Sequence, residues 1–114
     1  MILRENFVVE EVGAHYKVPM YEVKDNEGIV EVEETLDLLF VRGSKLPEEN
    51  VERRTGTLHE HIISVLISDL QYKNSLVPSR ETSLAITKLE EALFWLRARI
   101  IRRENGGTLG TYQA

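Results

Sequence analysis

The order of apolar and polar positions changes character near residue 44. Ahead of it lie short runs rich in β-branched and aromatic residues, at 6–12 (NFVVEEV), 18–24 (VPMYEVK), 29–33 (IVEVE) and 36–42 (LDLLFVR). Val30 and Val32 alternate with Glu31 and Glu33, the period of two that marks a half-buried strand. Asp25-Asn26-Glu27-Gly28 falls between two such runs and predicts a hairpin turn with Gly28 at positive φ. Pro19 has no amide hydrogen to give a ladder, so it predicts an edge or a bulge at its position. These signals predict an antiparallel β-meander of three or four strands over 1–43, followed by a polar connection over 44–56.

From Thr57 the period becomes helical. Thr57-Leu58-His59-Glu60 has the form of a capping box, in which the Thr hydroxyl and the Glu carboxylate each take an otherwise orphaned amide. Leu58, Ile62, Leu66 and Leu70 recur every four residues with Ile63 and Ile67 beside them, a stripe wide enough to predict a well-buried helix from about 58 to 73. Ser79 is a good N-cap for a second helix over about 80–104, whose predicted core stripe is Ala85, Leu89, Ala92, Leu93, Leu96 and Ile100. The short link between them forces an antiparallel hairpin over 57–104. The second helix outruns the first, so its last turns need the sheet or another subunit to cover them. A glycine-rich tail occupies 105–114. The fold class predicted is α+β, a small N-terminal antiparallel sheet followed by a C-terminal helical hairpin. The 114 residues fit one domain, 1–114.

Charge refines this picture. Residues 1–52 carry 5 basic and 13 acidic side chains, a net of −8, and residues 53–114 carry 9 and 6, a net of +3. A total of −5 argues against an indifferent grip on polymeric nucleic acid. The second half can still hold a small anion, because its cations gather at Arg53 and Arg54 and again at Arg97, Arg99, Arg102 and Arg103. The alternative is solvated faces, with cations complementing a helix C-terminus. The absence of cysteine removes disulfides, thiolate metal sites and a cysteine nucleophile. No apolar run approaches the ~18–20 residues of a membrane span. MILRENFVVE lacks the layout of a signal peptide, so an intracellular protein is expected.

Few side chains point to chemistry. Lys88, Trp95, Arg99 and Arg102 fall at i, i+7, i+11 and i+14, one side of the second helix, away from its leucines. A Trp among cations there stacks on a nucleobase or a guanidinium, or else packs on the sheet or a neighbouring subunit. At the turn end of the hairpin, Tyr72 closes the first helix and Arg80-Glu81-Thr82 opens the second. There the free amides and the Arg80 guanidinium suit a phosphate, the alternative being an ordinary capped corner. His59 and His61 face different ways on a helix and cannot clip one metal. The tail Gly106–Tyr112 either wraps a phosphate through its amides or is a plain flexible terminus. No nucleophile motif, phosphate loop or metal set is present, so neither a catalytic residue nor a cofactor is predicted.

The runs Gly56-Thr57-Leu58-His59-Glu60, Asp69-Leu70-Gln71-Tyr72-Lys73, Pro78-Ser79-Arg80-Glu81-Thr82-Ser83-Leu84-Ala85 and Lys88-Leu89-Glu90-Glu91-Ala92-Leu93-Phe94-Trp95-Leu96 resemble a phage family. It holds the Thoeris anti-defence protein 1 and, more distantly, the anti-CBASS protein 2. The resemblance covers about residues 53–112, and the strand region favours the Thoeris-type branch. It implies a non-catalytic sponge, a homo-oligomer (dimer or hexamer) in the cytoplasm of the infected bacterial host. Such a protein captures cyclic nucleotide alarm signals, glycocyclic ADP-ribose from TIR-domain enzymes above all, with cyclic oligonucleotides at separate sites. The family's stacking aromatic falls on Tyr72, its polar contact at the start of the second helix on Thr82, and its late arginine on Arg99. Arg80, Lys88 and Trp95 match the motif as well, and Thr111 and Tyr112, in the tail whose amides can wrap a phosphate, are the remaining expected ligand-binding residues. Where the family usually has Phe and Asn, Tyr72 still stacks, but Thr82 lacks the paired donor and acceptor of an amide. Two other classes stay open. One is an enzyme cleaving such a nucleotide, with Glu81 or His59 as general base. The other is an assembly protein whose Trp95 face is only an interface.

Overall fold

The computed structural model describes residues 6–43 and 52–107. The chain divides into two compact units, Met1–Arg42 with Arg53–Gly56, and Gly43–Glu52 with Thr57–Ala114.

The first unit is a three-stranded antiparallel sheet in the order β1-β2-β3, with β1 at Val8–Glu11, β2 at His15–Lys24 and β3 at Gly28–Leu39. The β2–β3 turn follows from its sequence: Asn26 (φ 69°) and Gly28 (φ 77°) take the left-handed conformations these residues tolerate, and the Glu27 amide donates to the Lys24 carbonyl at 3.2 Å. The runs expected as two strands, 29–33 and 36–42, are one long β3. It keeps its pairing by an irregularity: Pro19 pairs with Thr35, then Tyr21 with Glu31, so β3 spends Val32–Glu34 opposite Met20 alone. Pro19 sits at this break and beyond the residues that β1 pairs, so β2 is an edge strand there, where a proline is accommodated.

One face of the sheet carries Tyr16, Val18, Leu36 and Leu38, set by the pairs Tyr16–Leu38 and Val18–Leu36. Phe7 and Phe40 each meet the Tyr16 ring edge-on at 5.9 Å. The opposite face pairs Lys17 with Asp37, and His15 Nε2 lies 2.8 Å from Asp37 Oδ1. The polar anchor of the unit is Glu11. Its carboxylate accepts from Arg42 Nη2 at 2.7 Å and from Arg54 Nε at 2.9 Å, while Arg42 Nη1 donates to the Val12 carbonyl at 2.7 Å. Arg42 and Arg54 also exchange backbone hydrogen bonds of 3.1 and 3.2 Å. Residues 53–56 are thereby tied to the sheet despite the charge they carry.

The second unit is the helical hairpin, α1 at His59–Leu76 and α2 at Arg80–Asn105, packed against each other. The least exposed side chains are Thr82, Ile86, Leu89, Leu93, Leu96, Ile100 and Arg103 on α2, and Glu60, Ile62, Ile63, Ser64, Ile67, Leu70 and Asn74 on α1. The α2 set alternates steps of four and three, the heptad spacing of a coiled-coil seam, and the α1 set contains the same spacing within a wider strip that takes in Ile62 and Ser64. This corrects the expected α2 stripe. Leu89, Leu93, Leu96 and Ile100 turn inward as expected, but Ala85 and Ala92 are exposed and Ile86 is buried, because a seam repeating every 3.5 residues selects 86 rather than 85.

Two other expectations are overturned. The N-cap of α1 is Leu58, without a side-chain hydrogen bond, so Thr57 does not form the capping box. Nor is α1 well buried: none of its residues is, and Val65, Leu66, Tyr72 and Leu76 are exposed. One facing helix covers only one strip of a stripe this wide.

Candidate functional site

The turn end of the hairpin is built by a small hydrogen-bond set. Ser79 caps α2, its Oγ accepting from the Thr82 amide at 3.1 Å and donating to Thr82 Oγ1 at 2.7 Å. Asn74, in the last turns of α1, accepts from the Ser79 amide at 2.9 Å through Oδ1 and donates to Ser83 Oγ at 3.1 Å through Nδ2. Ser79, expected as the N-cap, therefore does that work, while Asn74 ties the end of α1 to the start of α2. No motif marked Asn74 in advance, although an amide in the link of a helical hairpin, one side chain able to give and take, was a usable signal. The same set draws Thr82 inward to half-buried, where its hydroxyl accepts from Ser79 and keeps its own hydrogen for another acceptor.

Around this corner Tyr72 is 63% exposed and Arg80 is exposed as the first residue of α2. Ser79 takes the Thr82 amide by side chain and the Ser83 amide by its carbonyl. An anion at this helix start would meet the amides of Arg80 and Glu81 and the Arg80 guanidinium, with the Glu81 carboxylate opposing it.

The other expected residues lie farther along α2. Lys88 is exposed and 3.6 Å from Glu91, Arg99 is exposed, and Trp95 is 70% exposed with its ring edge-on to Phe94 at 5.3 Å. One chain does not bring the two groups together. Arg80 and Arg99 are 19 residues apart on one helix, which at ~1.5 Å per residue is about 28 Å. A small-molecule pocket of ~300–1,000 Å³ is only about 7–10 Å across. Thr111 and Tyr112 lie outside the described residues. Of Arg53 and Arg54, read as a possible anion site, Arg54 is engaged otherwise: it binds Glu11 and donates to the Arg53 backbone carbonyl at 3.1 Å. Among the described residues no group of His, Asp and Glu is placed to hold a metal ion, and no helix is long and apolar enough to cross a membrane.

The matched stretch decides what this hairpin is. The family model of the Acb2/Tad1 hairpin domain matches residues 37–100, from the end of β3 through most of α2. The chain belongs to the Acb2/Tad1 hairpin family. Over 59 residues it is 48% identical to the Thoeris anti-defense 1 protein of Bacillus phage SBSphiJ7, a match covering 51% of this chain and 42% of that relative. The alignment thus spans less than half of the relative's length. Tyr72, Arg80, Thr82, Lys88, Trp95 and Arg99 all fall inside the Acb2/Tad1 hairpin match, whereas Thr111, Tyr112, β1 and β2 lie outside it.

Proposed function

We propose that this chain is a phage anti-defence protein that binds a cyclic nucleotide immune signal and holds it intact. The ligand is glycocyclic ADP-ribose made by TIR-domain Thoeris enzymes, with CBASS cyclic di- and trinucleotides as further ligands, and the place of action is the cytoplasm of the infected host. The carrying observation is the 48% identity over 59 residues to a Thoeris anti-defense 1 protein. The chemistry of the exposed residues supports it. Arg80, Lys88 and Arg99 suit a diphosphate, and Tyr72 and Trp95 suit an adenine face.

The separation of the two groups by about 28 Å along α2 supports a homo-oligomer as well. If two hairpins lie antiparallel, the turn end of one comes beside the Trp95–Arg99 end of the other, and one ligand reaches both. The test is calorimetric titration of the whole protein with glycocyclic ADP-ribose, followed by heat denaturation and chromatography of what is released. Micromolar or tighter binding with unchanged ligand recovered is the expected result. A cleaved product would make the protein an enzyme, and no heat with any of the named nucleotides would leave the assembly-protein reading.

A further inference from the structure

The β2–β3 hairpin reaches well past β1, which pairs only with residues 15–17 of β2. Beyond that the sheet is a two-stranded ribbon, a form that is marginal on its own. One face of the ribbon bears Tyr21, Val23 and Ile29, fixed there by the pairs Tyr21–Glu31 and Val23–Ile29. Val23 is 81% exposed and Ile29 50%. Between Met20 and Glu34 six acidic side chains stand against one lysine. The ribbon is therefore an apolar patch in an acidic frame.

The outer side of α2 has the opposite make-up. Phe94, Ala98 and Ile101 form one row at i, i+4 and i+7, with Phe94 62% and Ile101 58% exposed. Between Phe94 and Arg103 there are four arginines and no acidic residue. The apolar side chains of both patches are exposed, and the two patches lie on different units of the chain.

We propose that the β2–β3 ribbon of one copy docks on the Phe94–Ala98–Ile101 row of α2 in a second copy, its carboxylates set against Arg97 and Arg102. Charge complementarity selects a second copy over an unrelated apolar partner. A two-fold axis makes the contact twice. With each large aromatic burying ~150–250 Å², the pair of contacts reaches the ~1,000 Å² that a specific interface needs. The inference rests on the homo-oligomer reading above and leaves Trp95 and Arg99, on the neighbouring side of α2, to the ligand.

Sedimentation equilibrium of the full chain without nucleotide tests it. Val23→Arg and Ile101→Glu, both at exposed positions, are each expected to lower the average mass of the pair by up to twofold, toward the 13.1 kDa protomer. Circular dichroism checks that both variants keep their folds. An equimolar mixture of the two is expected to recover the wild-type mass. In a mixed pair one contact is wholly native, and the other sets the new cation on the new carboxylate. Single variants that keep the wild-type mass, or a mixture that does not recover it, would overturn this interface while leaving nucleotide binding untouched. A wild-type mass of 13.1 kDa would remove the homo-oligomer reading together with it.

Discussion

Glu11 is the residue on which the sheet unit turns. The hydrogen bond from Arg54 holds its carboxyl below the ordinary glutamate value of 4.5, partial desolvation opposes this, and the bond and charge of Arg42 add to the lowering. A carboxyl whose folded value is depressed stabilises the fold at pH values above its ordinary one. That contribution fades as pH falls below 4.5 toward the folded value. Glu11→Gln is therefore expected to lower the melting temperature at pH 7 and to flatten the loss of stability in the acid range, as followed by circular dichroism melts from pH 7 to 3. Equal melting temperatures at pH 7 would show that the two arginines do not need the carboxylate. Gly56 is fixed by space rather than charge. A Cβ there would come within 2.7 Å of the Leu39 carbonyl carbon and oxygen and would also collide with the Phe40 backbone, and backbone cannot step aside as a side-chain tip can. Gly56→Ala is expected to cost about 1–3 kcal/mol in denaturant unfolding. Neither role was legible in the sequence, where Glu11 is one of thirteen acidic residues before position 53 and Gly56 the end of a polar stretch. Both depend on a pairing between residues 42 and 54 that no local pattern announces.

At the scale of elements, what could be read ahead was what local physics decides. The turn at Asp25–Gly28, the break at Pro19 and the cap at Ser79 each depend on the local chemistry of one residue (glycine's tolerance of positive φ, proline's missing amide hydrogen, serine's hydroxyl acceptor), and each appears where that chemistry placed it. The number of strands and the inward face of α2 depend on partners. Strand β3 runs through two apolar runs because β2 is long enough to pair with both, and α2 turns Ile86 inward because a facing helix imposes a heptad seam. The candidate site was half legible for the same reason: its residue types and their spacing on the predicted second helix could be read from the sequence, but what joins the two ends of that helix in one site depends on partners. Two variants test the hairpin at this scale. Ser79→Ala removes an accepted amide bond and is expected to cost about 1 kcal/mol. Leu93→Ala empties a buried seam position and is expected to cost about 2–4 kcal/mol, against little for a change at exposed Ala92. A larger loss at Ala92 than at Leu93 would put the seam on the wrong side of α2.

For the whole molecule, a 114-residue chain leaves many large apolar side chains open and places its nucleotide-suited residues at two ends of one hairpin. Both facts make the single chain a poor binding unit, and both change if copies associate. The consequence for ligand binding is specific. In a site built from the turn end of one hairpin and the far end of another, Tyr72 and Arg99 serving one ligand come from different chains. Tyr72→Ala and Arg99→Ala are then each expected to bind glycocyclic ADP-ribose at least tenfold more weakly. Mixing them must restore strong binding, because a mixed pair holds one site with both native residues and one with neither. With random exchange in a two-fold pair half the pairs are mixed, so about one quarter of the sites regain wild-type affinity. Calorimetric stoichiometry reads that fraction directly. If each variant fails and the mixture fails too, the two residues act within one chain, and a ligand would have to span a helix length of about 28 Å. If neither substitution matters, the aromatic and cationic faces of the hairpin belong to assembly alone. The partial recovery separates these cases because no change within a single chain can be repaired by adding a second chain that is itself defective.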